Sequence, residues 1–190
     1  MKRKAAERNC AIAGSVAVSK NGNYYNRFYF VHPDGAVQHY DKKHLFTFGG
    51  EHKRFTAGTE RVVVNFRGVR ILLEVCYDLR FPVWSRNLGD YDMILYVASW
   101  PTPRVDAWSA LLLTQAIENQ CNVAGVNRMG TEPTCEYSGG SAIIDPYGKT
   151  IAECPWSRES AVSADIDMEA LQAFRKKFPV LDDADPFTLI

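Results

Sequence analysis

The sequence has no apolar run long enough to span a membrane, and its first residues lack the apolar stretch of a secretory signal. Excess charge is absent too. The 22 Lys and Arg balance 22 Asp and Glu, which removes the electrostatic case for nucleic acid or an anionic membrane as partner. The basic cluster Lys2-Arg3-Lys4 with Arg8 is too short for a nucleic-acid arm and reads as a solvated helix face. Cysteines are few and scattered: Cys10, Cys76, Cys121, Cys135 and Cys154. They are odd in number and contain no C-x-x-C, which argues against a disulfide framework or a zinc site and for a reducing, cytoplasmic setting. His32, His39, His44 and His52 show no metal-ligand spacing with them. Repeats, low-complexity tracts and long linkers are also missing.

What is present is a 190-residue chain, 46% apolar and 23% charged, which suits one soluble domain with a sizeable core. Short β-branched runs bounded by Gly, Pro, Asn and Asp predict strands near 11–18, 27–31, 37–40, 61–66, 69–76, 93–98, 123–127, 141–145, 150–153 and 161–166. The first of these and Ile94–Val97 are almost wholly apolar, as expected of strands covered on both faces. A helix is predicted over 106–120, with Trp108, Leu111, Leu112 and Gln115 along one stripe. Leu113, Ala116 and Ile117 widen its apolar surface, so burial on two sides is expected. A second helix is predicted over 168–178, with Asp167 as N-cap, Leu171, Phe174 and Phe178 as its stripe and Pro179 as its stop. A short helix should follow Cys76, with Pro82 in its first turn. Strands interleaved with helices define an α/β class, here two packed sheets with helices outside.

The beginning does not read as that of an intact domain. Met1–Arg8 resembles the last turns of a helix and runs straight into the apolar strand. A two-faced strand needs neighbours for its backbone and faces. The expectation is a single domain over 1–190 that lacks its N-terminal segment, through an internal methionine taken as a start or through truncation.

Cys76 ends the run Val69–Val75 and is followed by Tyr77-Asp78-Leu79-Arg80-Phe81-Pro82. A cysteine at such a strand-to-helix turn presents sulfur at a sheet edge, with backbone N–H groups aimed where an oxyanion would form. The bland alternative is a packed apolar cysteine, the reading kept for Cys10, Cys121, Cys135 and Cys154. Lys42 lies among aromatic and apolar residues in Tyr40-Asp41-Lys42-Lys43-His44-Leu45-Phe46, so part of that run is expected to be buried. An ammonium there would stabilise a tetrahedral intermediate. His44 reads as a hydrogen-bonded structural histidine. Glu51, after Gly49-Gly50, either pairs with Lys42 or is an exposed loop acid, and sequence alone favours the latter. Trp100 either lines a pocket at the same edge or is a packed loop residue. The polar group Glu118-Asn119-Gln120 is expected to be solvated or capping.

Taken together, these stretches resemble the nitrilase, or carbon–nitrogen hydrolase, superfamily. The resemblance rests on the lysine and cysteine motifs, on Glu51 through Gly58, on Tyr96-Val97-Ala98-Ser99-Trp100-Pro101, on Ala116 through Gln120 and on Gly125-Val126-Asn127-Arg128. The extended stretch from Cys76 to Asn87 is most similar to the bacterial omega-amidase branch. The resemblance implies an α-β-β-α four-layer sandwich, incomplete here at the N-terminus. It implies a Glu-Lys-Cys triad, with Cys76 forming a thioester, Lys42 holding the intermediate, Glu51 as a supporting glutamate and the Tyr77 N–H on the oxyanion. No metal or organic cofactor is implied, and a homodimer is. The substrate implied is a small ω-amide of a 2-oxo dicarboxylic acid, such as 2-oxoglutaramate. Arg80 is a candidate for its carboxylate, against an ion pair with Asp78 or a neighbouring acid as the plainer reading. The family's general-base glutamate stands upstream in a Pro-Glu context; here Glu7 alone precedes Lys42, without that context, and is not assigned. Activity of the chain as it stands is therefore an open expectation. Other amidase or N-carbamoyl hydrolase activity, or an inactive fragment that keeps only binding or oligomer contacts, are the alternatives.

Overall fold

The computed structural model describes residues 1–188. Helix α1 (Lys2–Arg8) leads into an antiparallel sheet of β1 (Ile12–Lys20), β2 (Asn23–Val31) and β3 (Val37–Asp41), in that order. The larger sheet opens with the hairpin β4 (Val63–Phe66) and β5 (Val69–Val75). Helix α2 (Pro82–Ser85), with Pro82 at its start as expected, leads to β6 (Met93–Ala98), which lies parallel to β5. Helix α3 (Val105–Glu118) crosses over to β7 (Asn122–Asn127), parallel to β6. A separate hairpin of β8 (Met129–Glu132) and β9 (Cys135–Ser138) follows, then β10 (Ala142–Ile144) and β11 (Thr150–Glu153). The six-stranded order is β11-β10-β7-β6-β5-β4, and α4 (Met168–Lys177) comes last.

Two apolar layers hold this together. Phe28, Phe30 and Tyr40 of the small sheet pack on Val64, Ile71, Leu73 and Val75 of the large one. On the other side, Leu72, Ile94, Tyr96 and Val123 pack on Trp108, Leu112 and Ala116 of α3. Alternation along β5 and β6 therefore feeds both layers, which is why these strands read as continuous apolar runs. The result is an α/β sandwich, as the sequence implied. Helix α4 is capped by Asp167, whose carboxylate accepts the Ala170 N–H at 2.8 Å. Arg175 anchors it by donating to Asp92 Oδ1 at 2.8 Å, and to the Tyr91 and Gln120 carbonyls at 2.9 Å each.

Several expectations need correction. β1 is not covered on both faces: Ser15, Val16 and Ala17 are exposed, and it is an edge strand, with β2 alone paired to it among the described residues. α3 is buried on one side only. Ala116 is covered, but Leu113 and Ile117 are 38% and 48% exposed. Residues 161–166 form no strand. Of the two readings of the helix end, capping holds and solvation does not: Asn119 and Gln120 are buried, Asn119 is the C-cap and donates its amide to the Gln115 carbonyl at 3.1 Å, and its Oδ1 accepts the Asn87 N–H at 2.9 Å, locking α3 to the loop after α2.

Candidate active site

Cys76 follows the last residue of β5 and begins a short 3-10 turn, Cys76–Arg80. Its φ of 50° is left-handed, a conformation a β-carbon penalises and that marks sharp nucleophile turns. The turn is closed by Asp78, whose Oδ2 accepts the Val75 N–H at 3.1 Å. The Cys76 thiol points at the Ser99 carbonyl, 3.9 Å away at the end of β6. Burial pushes this thiol above its ordinary value, while Lys42's charge and the Ser99 contact pull it down. The net direction is up, so the resting group is a thiol and needs a proton acceptor to become nucleophilic.

Lys42 follows β3 and is 3% exposed. Its Nζ donates to Glu51 Oε2 at 2.6 Å. Glu51 is not the exposed loop acid that sequence alone favours. It also accepts the Phe46 N–H at 2.6 Å and the Asn26 amide at 3.1 Å. Burial pushes its carboxyl up, but Lys42 and these donors bring it net below the ordinary range, so it stays ionised. Gly50, at φ 74°, makes the bend between two 3-10 turns that brings Glu51 back to Lys42.

Lys42, Glu51 and Cys76 line one cavity of about 500 Å³, with Gly14, Asn26, Ala98 and Ser99. Cys76 also borders a second cavity of about 480 Å³, walled by Tyr77, Arg80, Trp100, Pro101, Arg104 and Cys135. The sulfur thus stands where an ammonium-bearing chamber meets an arginine-bearing one. Trp100 serves both readings: it lines the second cavity, yet is packed on Trp108 with ring centroids 5.6 Å apart. Its indole N–H donates to the Arg104 carbonyl at 2.7 Å. Arg80 does not pair with Asp78. It is exposed, with its guanidinium over the Trp100 ring at 5.1 Å. Arg104 lies over Phe46 at 5.3 Å. Neither arginine makes an ion pair among the described residues. Arg104 was missed by sequence reasoning; the signal was a second basic residue four positions after Trp100.

His44 is the structural histidine expected, with Nδ1 2.8 Å from Asp78 Oδ1 and its ring stacked on Phe81 at 3.8 Å. Glu7 is tied to Lys4 at 2.8 Å on the surface of α1. Cys135 lies in β9, and the five cysteines form no disulfide. A third cavity, of about 440 Å³, surrounds Arg27 and Asp41. It holds no nucleophile, and the arginine is already neutralised by two hydrogen bonds of 2.6 and 2.7 Å. Among the described residues no cluster could hold a metal ion, and no helix is long and apolar enough to cross a membrane.

An α/β sandwich that sets a cysteine on a strained strand-to-helix turn, beside a buried lysine–glutamate pair, defines a hydrolase scaffold for acyl chemistry. The chain belongs to the carbon–nitrogen hydrolase family, whose pattern matches residues 1–176. It is 51% identical over 190 residues to the omega-amidase YafV of Escherichia coli K12, covering 100% of this chain and 74% of that protein. It is 41% identical over 175 residues to the 2-oxoglutaramate amidase of Bacillus subtilis, covering 90% and 67%. XC1258 of Xanthomonas campestris, a superfamily member solved with an arsenic adduct in its active site, superposes with a TM-score of 0.96 at 44% identity, covering 99% and 74%.

Proposed function

We propose that this chain carries the nucleophile, cation and substrate pocket of an omega-amidase acting on ω-amides of 2-oxo dicarboxylic acids, such as 2-oxoglutaramate. The observation that carries the reading is the position of Cys76 between the Lys42–Glu51 chamber and the Arg80–Arg104 chamber. The Cys76 thiolate attacks the amide carbon, and the carbonyl oxygen becomes an oxyanion held by Lys42 and the Tyr77 N–H. The C–N bond breaks, ammonia leaves carrying the proton that the Cys76 thiol gave up, and a thioester remains. Water then releases the acid and returns the thiol. Glu51 holds Lys42 in place. Both Glu51 and Asp78 are already engaged by other donors, so neither is assigned as the proton acceptor.

The far carboxylate of such a substrate needs a cation, and Arg80 and Arg104 are free to supply it beside the stacked Trp100. The test is ammonia release from 2-oxoglutaramate, from a neutral amide of equal length and from an N-carbamoyl amino acid, with Cys76→Ala as the blank. Arg80→Met should raise KM for 2-oxoglutaramate by roughly 10–100-fold, the cost of a lost charge-assisted pair, and leave the neutral amide unchanged. Equal effects on both amides would sink the carboxylate assignment. Preference for the N-carbamoyl compound would move the chain to the alternative branch.

The homodimer belongs to the same proposal. The outer face of α3 leaves Leu113 and Ile117 exposed beside Tyr147, a surface suited to a second copy. Sedimentation should give twice the chain mass, and Ile117→Lys should return it to one.

A further inference from the structure

We infer that Asp78 is the positioning residue that sets the distance between Lys42 and Cys76. It touches neither the cavity surface nor any reacting atom, but it holds the chain on both sides of each reacting residue. Asp78 is 0% exposed. Its Oδ2 accepts the Tyr40 hydroxyl at 2.8 Å and the Val75 N–H at 3.1 Å. Its Oδ1 faces the His44 N–H and the His44 ring nitrogen, each at 2.8 Å. Tyr40 and His44 flank Lys42 by two residues on either side, and the Tyr40 hydroxyl also accepts the Lys43 N–H at 3.0 Å. Val75 and Asp78 itself flank Cys76. One carboxylate therefore ties the end of β3 to the turn after β5, two segments that no strand pairing joins.

The surroundings leave Asp78 little freedom. His44 is clamped from the other side by Phe81, stacked at 3.8 Å, and by the edge of Trp84. Glu74 lies behind Asp78, fully buried, with one carboxyl oxygen unpartnered. Burial and the charge of Asp78 hold Glu74 well above its ordinary value. A carboxylate fixed by four donors in a dry site cannot rotate or shorten without leaving a donor unsatisfied. The inference rests on reading Cys76 and Lys42 as the reacting pair, and not on the identity of the amide.

The experiment follows alkylation of Cys76 by iodoacetamide against pH, which needs no substrate. Three charged groups bear on this thiol: Lys42 lowers its pKa, and Glu51 and Asp78 raise it. In Asp78→Asn the amide cannot accept from all four donors, and the Lys42 loop moves off the sulfur. Removing the Asp78 charge would by itself lower the alkylation midpoint, so the two readings differ in sign. A rise of about one pH unit in the folded variant supports the inference, since a cation at close range is worth about 1–3 units. Lys42→Met sets the upper limit of that rise. A midpoint unchanged or lowered in folded Asp78→Asn overturns it, even if thermal stability falls, because a merely structural role costs stability without moving the sulfur's titration. Should Asp78→Asn not fold, Tyr40→Phe decides. It removes one hydroxyl and leaves every charge in place. A rise of about half a unit is expected, and an unchanged midpoint overturns the inference.

Discussion

A Lys42→Met protein should fold and lose amide turnover by about 10³-fold, with KM changed less than about threefold. Removing one donor to a developing oxyanion costs roughly 10²–10³ in kcat. Here the same ammonium also favours the Cys76 thiolate against burial, so both effects fall on the chemical step. Methionine fills the lysine's volume, which separates the charge from the packing. Lys42→Arg is not expected to restore turnover. A planar guanidinium cannot occupy the 3%-exposed site and still reach Glu51 as the ammonium does at 2.6 Å. Steady-state ammonia release, normalised to thiol titration at Cys76, checks this. Turnover within tenfold of wild type would remove Lys42 from the mechanism.

The same variant should invert a pH dependence. In the native protein Glu51's carboxyl sits below its ordinary value, so the stability it contributes is full at neutral pH and is lost as pH falls through that lowered pKa. Without Lys42, burial is opposed only by the Phe46 and Asn26 donors, and the folded pKa is expected to rise above the unfolded one. The variant then keeps its stability below the ordinary carboxylate value and loses it as pH rises. Relative to wild type, its melting temperature should fall between about pH 4 and about pH 7. Lys42→Met/Glu51→Gln should recover much of that stability and none of the turnover. This outcome distinguishes a lost counter-ion from a disordered loop.

Cys76 and Lys42 stood out in the sequence as candidates because each sits in a locally unusual setting. Cys76 ends a seven-residue strand with charges just past it, and Lys42 lies among aromatics. The strands β5 and β6 were legible for the same reason that they are central: apolar residues face both layers. The β8–β9 hairpin was not, since its residues are mostly exposed and no alternation marks a buried face. Of the two readings of Glu51, pairing with Lys42 could not be preferred from the residues alone because the partner is nine residues away, across a bend whose Gly50 geometry no local pattern reveals. Pairing Arg80 with Asp78 failed on turn geometry. With about three residues per 3-10 turn, positions two apart point to different sides, so Asp78 faces the core and Arg80 faces the cavity. Residues 161–166 carry strand-like composition but lie against no strand edge, and composition without a partner does not make a sheet.

Gly58→Ala should damage the site within about tenfold of the loss expected for Lys42→Met, although Gly58 carries no chemistry. The Gly58 N–H donates to the Lys42 carbonyl at 2.9 Å, so the segment after Glu51 lies directly along the lysine's backbone. A β-carbon at Gly58 would stand 1.9 Å from the Asp41 carbonyl oxygen and 2.7 Å from its carbon. Both are backbone atoms, so no side chain can swing away. Asp41 cannot yield easily either: it pairs with Arg27 across β2–β3 and binds the Arg27 guanidinium through both oxygens. Either the 56–59 segment lifts, breaking the bonds from Thr56 N to Tyr24 O and from Gly58 N to Lys42 O, or the Asp41–Lys42 backbone shifts. Overpacking plus these lost bonds should cost about 3 kcal/mol, or about 10 °C in melting temperature for a chain of this size. A displacement of Lys42 by about 1 Å should lower kcat by about 10²-fold per titrated Cys76. If melting falls and kcat per site does not, the lifted segment absorbs the strain and Lys42 is held by Glu51 and by the Asp78 ties on either side of it. If both are unchanged, the close approach of Gly58 to Asp41 is not part of the folded protein.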